Sequence, residues 1–349
     1  MEATSLDCPL ALRLAVAFAG RVAAALGAQV VRFEQVSGDP IQGCEPKVGG
    51  QSTLSVFLNA GKRVIPWGGP SERDGTLQVE LGSAEILLLD QGAAAMAERS
   101  DAKVKALVSF FGDRPGAPRD ASAFTVLALS GVLDTVGDPQ REPLRLGGHQ
   151  LAYAAGLSLY TGIAAAYFGV TGADAPPAAR ETVRVSLFDV AMWLNWKNLA
   201  AAAASGASPT RAGRSHQWQI LRCRDGWVAL VFMEKDWGPL QSLVDDDRLR
   251  DPRFATEALR NRNARALGDI VEEHFLKLTR REIEAEARTR RLPIGAVWSP
   301  VDLANDAHYL ARDFLRAART AEGATCLQPA LPVRWHRTEA AAPAAAGRR

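Results

Sequence analysis

Apolar and small side chains run without a charge from Leu151 to Val170, a length that suits one buried helix of about 18 residues better than a strand. Gly156 and Gly162 lie inside this run, beside Ala152, Ala154, Ala155 and Ala164–Ala166. A glycine within a helix costs roughly 1 kcal/mol against alanine, so two of them predict close approach by a neighbouring element. After a proline-containing turn, Val183, Val185 and Leu187 alternate with Thr182, Arg184 and Ser186, which predicts a strand over Glu181–Leu187 and then a second helix.

Upstream, Leu10–Leu26 reads as a helix with Pro9 at its first turn and Gly27 as its stop. Gln29–Phe33 is a short strand, Gly38-Asp39-Pro40 a turn, and 41–53 a loop. Further strands follow the Asn59–Arg63 turn and cover Ala84–Asp90 and Val104–Phe111. This alternation predicts an α/β fold with a doubly wound parallel sheet in a Rossmann-like large domain, residues 1–200. It holds no G-x-G-x-x-G, so the dinucleotide reading is weak. The composition changes at 201–215, read as a linker. A hairpin turning at Arg224-Asp225-Gly226 and amphipathic helices then predict a smaller mixed α/β domain over 216–300. Residues 301–337 read as a return to the large domain and 338–349 as a disordered tail.

Charge narrows the partners. Forty-one basic against 39 acidic residues leave a formal +2, with no strong pull toward nucleic acid or anionic lipid, and no membrane span is expected. Cys8, Cys44, Cys223 and Cys326 are far apart and form no C-x-x-C pair, which argues against a zinc site or disulfide framework and fits a cytoplasmic protein. The N-terminus lacks the basic and apolar regions of a signal peptide, so no export is expected. His274 and His308 lack a partner at metal-ligand spacing and read as surface or interface histidines; no metal is expected.

LGAQVVRFE (26–34), SGDP (37–40), LNAGKR (58–63), SFFG (109–112), LSGVLDTVGDP (129–139), CRDGWVAL (223–230) and LPIGAVWSPVDLANDAHYLARDF (292–314) stand in the order found in class III CoA-transferases. Together with the glycine-rich entry at Gly147-Gly148, the small-residue helix and the ETVRVSLFD strand, the chain resembles this family over roughly residues 10–335. The resemblance implies an acyl-CoA substrate, no permanently bound cofactor and an interlocked dimer. It also implies a last strand at LPVRW (331–335). In the family an aspartate four residues before a glycine like Gly156 attacks the acyl-CoA carbonyl, forming an anhydride and then a covalent CoA thioester. Here that position is Ala152, and no acidic residue lies between Glu142 and Asp174. A methyl group neither attacks a carbonyl nor accepts a proton, so the chain is expected to be a degenerate member. The same loss weighs against the racemase branch.

The resemblance further implies that the family's opening strand and CoA-contacting loop are missing, because SLDCPL (5–10) and helix-forming residues stand in their place. Asp90 and Glu98 occupy positions where the family offers an asparagine and an arginine, and two acids would repel a polyphosphate. The remaining anion-binding candidates are Arg32, Lys62 and Arg63, and Arg114 and Arg119 in the loop after the 104–111 strand; each also reads as ordinary surface charge. Gly61-Lys62 is not a P-loop, since no glycine stands five residues earlier and Arg63 replaces Ser or Thr.

Three functions remain open. The chain is the non-nucleophilic half of a CoA-transferase, in a homodimer or in a heterodimer with a family member that carries the aspartate. Alternatively it acts alone as an acyl-CoA transferase or isomerase with another base, for which Asp134, Asp138, Glu142 and above all His149 are the nearby titratable groups. Or it is a non-catalytic pseudoenzyme that binds or regulates.

Overall fold

The computed structural model describes residues 1–3, 9–35, 38–67, 75–112, 121–176, 178–206, 211 and 217–334. The large unit comprises Met1–Ser130, Gly147–Asn195 and Ala307–Arg349, and the small unit comprises Gly131–Leu146 and Trp196–Asp306. These are not contiguous spans: 131–146, assigned above to the large domain, groups with the small unit.

In the large unit the elements run β1 (Glu2–Ala3), α1 (Leu10–Ala25), β2 (Val30–Gln35), α2 (Thr53–Asn59), β3 (Lys62–Trp67), α3 (Gly75–Ser83), β4 (Ile86–Asp90) and β5 (Val104–Ser109). There follow α4 (Ala123–Leu129), α5 (Gln150–Thr171), β6 (Glu181–Ser186) and α6 (Leu187–Leu194). The six strands lie in the order β3-β2-β1-β4-β5-β6, and every pairing is parallel. This is the doubly wound order, whose switch point falls between β1 and β4. The opening strand is therefore present, correcting the expectation that it is missing: Glu2 pairs with Arg32 on one side and Leu88 on the other. It is two residues long and lies upstream of SLDCPL, so the apolar pattern could not show it.

Helices α1 and α5 cover one face of the sheet. On the other, Phe33, Trp67, Leu77, Leu81, Leu87 and Leu89 form a core with Met96. Small residues let α5 settle on α1. A methyl group on Gly156 would stand 2.7 Å from the Ala15 carbonyl oxygen and 3.1 Å from Phe18 Cβ, and one on Gly162 would meet Val183 Cγ1 at 2.7 Å. The close approach predicted from the two glycines is thus made to α1 and to β6. Although α5 spans 22 uncharged residues, long and apolar enough to cross a membrane, its inner face is core: Leu151, Ala155, Leu159 and Ile163 are buried.

In the small unit, α7 (Trp196–Ser205) precedes β7 (Trp218–Cys223) and β8 (Gly226–Val231). The linker expected at 201–215 thus begins as helix, since its alanine run extends α7 to Ser205; 207–210 and 212–216 lie outside the described residues. The hairpin pairs Cys223 with Gly226 around the two-residue turn Arg224-Asp225. Next come α8 (Trp237–Val244), α9 (Ala264–Phe275), α10 (Arg280–Thr289) and β9 (Ile294–Ala296), which completes an antiparallel sheet in the order β9-β8-β7. One sheet face and the helices bury Leu221, Val228, Leu230, Phe254, Val271 and Phe275. Thr279 caps α10 in a reciprocal box with Glu282, the Thr-x-x-Glu pattern that marks a helix start.

Back in the large unit, β10 (Leu315–Arg319) and β11 (Thr325–Pro329) form a hairpin. The strand expected at LPVRW is not formed by Leu331–Arg334, which is irregular; the strand pairing is taken up by this earlier hairpin. The tail expected after 337 lies outside the described residues.

The helix contact yields a sign test. Gly156→Ala must displace backbone and is expected to destabilise by about 1–3 kcal/mol, whereas Gly169→Ala, on the same helix with nothing within 4 Å, is expected to be neutral or stabilising by up to ~1 kcal/mol. Urea unfolding midpoints of the two variants should move in opposite directions or differ clearly; equal shifts would discard the close-contact account.

Candidate functional site

Ligands of open parallel sheets bind where the strands end. The first turns of α1 and α5 and the segment after β2 all lie at this carboxyl edge, because each helix runs back across the sheet before the next strand begins. Ala152 is in the first turn of α5 and is 2% exposed. It packs in a cluster with Leu14, Ala17, Ile41 and Leu58, against Leu10, Phe18, Leu54 and Phe57. None of these side chains accepts a proton. The position expected to hold a nucleophile is buried with this apolar cluster packed around it.

Beside this cluster is a buried ion group. Asp39 accepts from Arg32 Nη2, lies 3.6 Å from Arg13 Nη1, and also accepts the Ile41 amide at 2.9 Å. Arg32 Nη1 donates to Asn59 Oδ1 at 3.0 Å. Arg13, Arg32 and Asp39 are each at most 4% exposed. Arg32 is therefore neither the solvated charge nor the phosphate contact that its strand position suggested. It is spent on Asp39 and Asn59, holding the segment after β2 against the start of α1 and the end of α2. Sequence reasoning saw Asp39 only as a turn residue; nothing local signals that two arginines converge on it.

The other candidates are mostly committed elsewhere. Lys62 donates to the Ala17 carbonyl at 2.7 Å, tying β3 to α1. Arg63 pairs with Glu80. Arg114 and Arg119 lie outside the described residues. Asp90 does not face a ligand as a repelling acid: it is fully buried and caps the turn after β4, accepting from Gly92 and Ala93 amides at 2.7 and 3.1 Å. Glu98, in that following 3-10 segment, is exposed. In the small unit, Asp134 pairs with Arg211, and Asp138 accepts the Gln140 amide.

His149 stands at the N-terminal boundary of α5, half-buried, with its ring edge-on to Tyr153 at 6.3 Å between centroids. Tyr153, which the sequence reading passed over, also packs on Phe18 at 4.8 Å. Burial, and to a lesser degree the neighbouring Cys44, push its phenol above the ordinary tyrosine range. It is thus a neutral hydrogen-bond donor at physiological pH and not a base. Burial likewise raises the Cys44 thiol, with Asp39 adding to the effect, so Cys44 is not an activated thiolate. The carboxyl edge offers donors, aromatic surface and one imidazole, but no carboxylate at the position of Ala152.

The pattern of CoA-transferase family III matches residues 85–347. The acetyl-CoA:oxalate CoA-transferase of Acetobacter aceti is 25% identical over 312 residues, 83% of this chain and 79% of that one. The formyl-CoA:oxalate CoA-transferase of Streptomyces avermitilis is 23% identical over 322 residues, 83% and 78% of the two chains. Among solved structures, a CaiB/BaiF family protein from Brucella suis superposes with a TM-score of 0.79 at 21% identity, covering 95% of both chains. Rv3272 of Mycobacterium tuberculosis gives 0.74 at 19%, covering 96% of this chain and 92% of that one. At such identities the two structures show the fold.

Introducing a carboxylate at 152 tests how fully the position is shielded from water. Ala152→Asp is expected to destabilise the chain by about 1–3 kcal/mol and to titrate above the ordinary aspartate range. Its stability deficit should then shrink as the pH falls through that raised value, since only the charged form resists burial. A variant of wild-type stability at pH 7 would show that a carboxylate at 152 reaches water or a cation.

Proposed function

The chain belongs to CoA-transferase family III, and we propose that within it this protein is the non-nucleophilic subunit of a CoA-transferase, paired with a family member that carries the catalytic aspartate. Exchange of CoA between an acyl-CoA and a carboxylic acid is the reaction, and the oxalate transferases among its relatives make oxalate the first acceptor to try. The observation that carries this reading is the apolar seal around Ala152. With a methyl group where the covalent intermediate must form, the chemistry has to come from another chain.

A surface suited to that chain supports the reading. The outward face of α5 is an uncharged stripe, Leu157, Thr161, Ala164, Ala165 and Phe168, all exposed. Helices α4 and α6 pack beside α5 and expose Phe124, Leu129, Trp193 and Leu194, each at least half exposed. So many large apolar side chains on adjoining helices fit an interface rather than a solvated face. A partner with a similarly apolar helical face is the expected occupant.

The deciding experiment is purification of the tagged chain from its native cell, followed by acyl-CoA:oxalate exchange on what is recovered. A second family member should come down and the mixture should exchange CoA while this chain alone does not. Phe168→Glu should weaken that association by at least about tenfold while leaving the circular dichroism unchanged. An active chain recovered alone overturns the subunit reading and returns His149 as the base to mutate. An inert chain recovered alone leaves a non-catalytic binding or regulatory protein.

A further inference from the structure

The large unit carries a cavity of about 420 Å³ remote from the carboxyl edge. One wall is the last turns of α1 together with Ala60, just ahead of β2 and β3, so it opens where these strands begin. The other wall is hairpin β10–β11 and the residues after it. That hairpin is held in place: Gln51 Oε1 accepts the Ala321 amide at 3.0 Å, and the Ala330 amide donates to the Phe314 carbonyl at 2.7 Å. The volume falls within the ~300–1,000 Å³ range of small-molecule sites. Chemistry in such sheets occurs at the opposite edge, so this is a separate place on the molecule.

Its lining carries both cationic and apolar side chains. Arg316 and Asp313 form an ion pair at 3.3 Å and neutralise each other. Arg21 and Arg334 remain as positive charges. Arg21 uses Nε on the Phe57 carbonyl at 3.0 Å and lies over the Phe57 ring, and Arg334 gives one Nη2 bond to the Arg312 carbonyl. A guanidinium has five N–H donors, so both retain several beyond these bonds. Leu26, Phe314, Pro329 and Leu331 supply hydrocarbon surface in the same cavity. Two guanidinium groups beside an apolar wall match a molecule with a single anionic head and a hydrocarbon body, since a fork of N–H donors receives a carboxylate in parallel bonds.

We propose that this cavity is a second ligand site, taking an amphipathic monocarboxylate with its head toward Arg21 and Arg334 and its chain along Leu26, Phe314 and Leu331. The site is independent of the subunit role argued above. It requires no nucleophile and no partner chain.

Calorimetric titration of the full chain with octanoate tests it, with octan-1-ol as the neutral control. Octanoate should bind saturably with one site per chain, and octan-1-ol at least about tenfold more weakly. Arg334→Gln should weaken octanoate at least about tenfold, and Ala317→Trp, which fills the cavity, should abolish binding, both with unchanged melting temperature. Arg21→Gln also removes the tie to Phe57, so the other two variants decide. Absence of saturable octanoate binding overturns the proposal. So does equal binding of octan-1-ol, or octanoate binding unchanged in both variants, which would place the ligand on the exposed apolar faces of α4–α6.

Discussion

The contact between α1 and α5 is the constraint on which the large unit depends. Both helices lie on one face of the parallel sheet, and they approach so closely at Gly156 that a single methyl group would collide with the Ala15 carbonyl. Packed cores hold few voids, so the position of α5 along α1 is set to within a fraction of a side chain. That setting determines where the first turn of α5 meets Leu14, Ile41 and Leu58. Whatever stands at position 152 is delivered to the carboxyl edge of the sheet and buried there.

Around that position polar groups are consumed by the fold itself. Asp39 holds Arg13 and Arg32, Asp90 caps the turn after β4, and Lys62 bonds a carbonyl of α1. Buried charges of this kind tie segments together rather than drive stability, because their attraction must offset the desolvation of each ion. The edge where substrates bind in such sheets is therefore furnished with structural ion pairs, and His149 and Tyr153 at the start of α5 carry no negative charge to offer a carbonyl carbon.

The architecture was legible in the sequence wherever periodicity was long. The uncharged run of α5, the α1 helix with its Gly27 stop, the β-branched strands and the capping box of Thr279 and Glu282 each appear where residue types require them. Short elements were not legible: two residues of β1 leave no alternation to read, and the hairpin β10–β11 alternates too weakly to displace the expectation of a later strand. The site divided along the same line. Ala152 was read correctly as a methyl-bearing helical position, but the fates of Arg32 and Asp90 depend on groups far away in sequence or on cap geometry, which residue type does not reveal. Arg63 and Lys62 looked alike as adjacent cations, and the pleat sends one to Glu80 and the other to α1.

The alanine at 152 and the apolar environment of that position are coupled. A carboxylate needs water, a cation or hydrogen-bond donors to remain charged, and the apolar side chains clustered with Ala152, those of Leu14, Ala17, Ile41 and Leu58, supply none. An alanine at an open, polar site would sit beside groups able to hold a charge. Here the surroundings are hydrocarbon as well, so the methyl group is the residue the packing favours. Position 152 is part of the core that joins α1, α2 and α5, and that structural role is the physical ground on which the proposed division of labour between two chains rests.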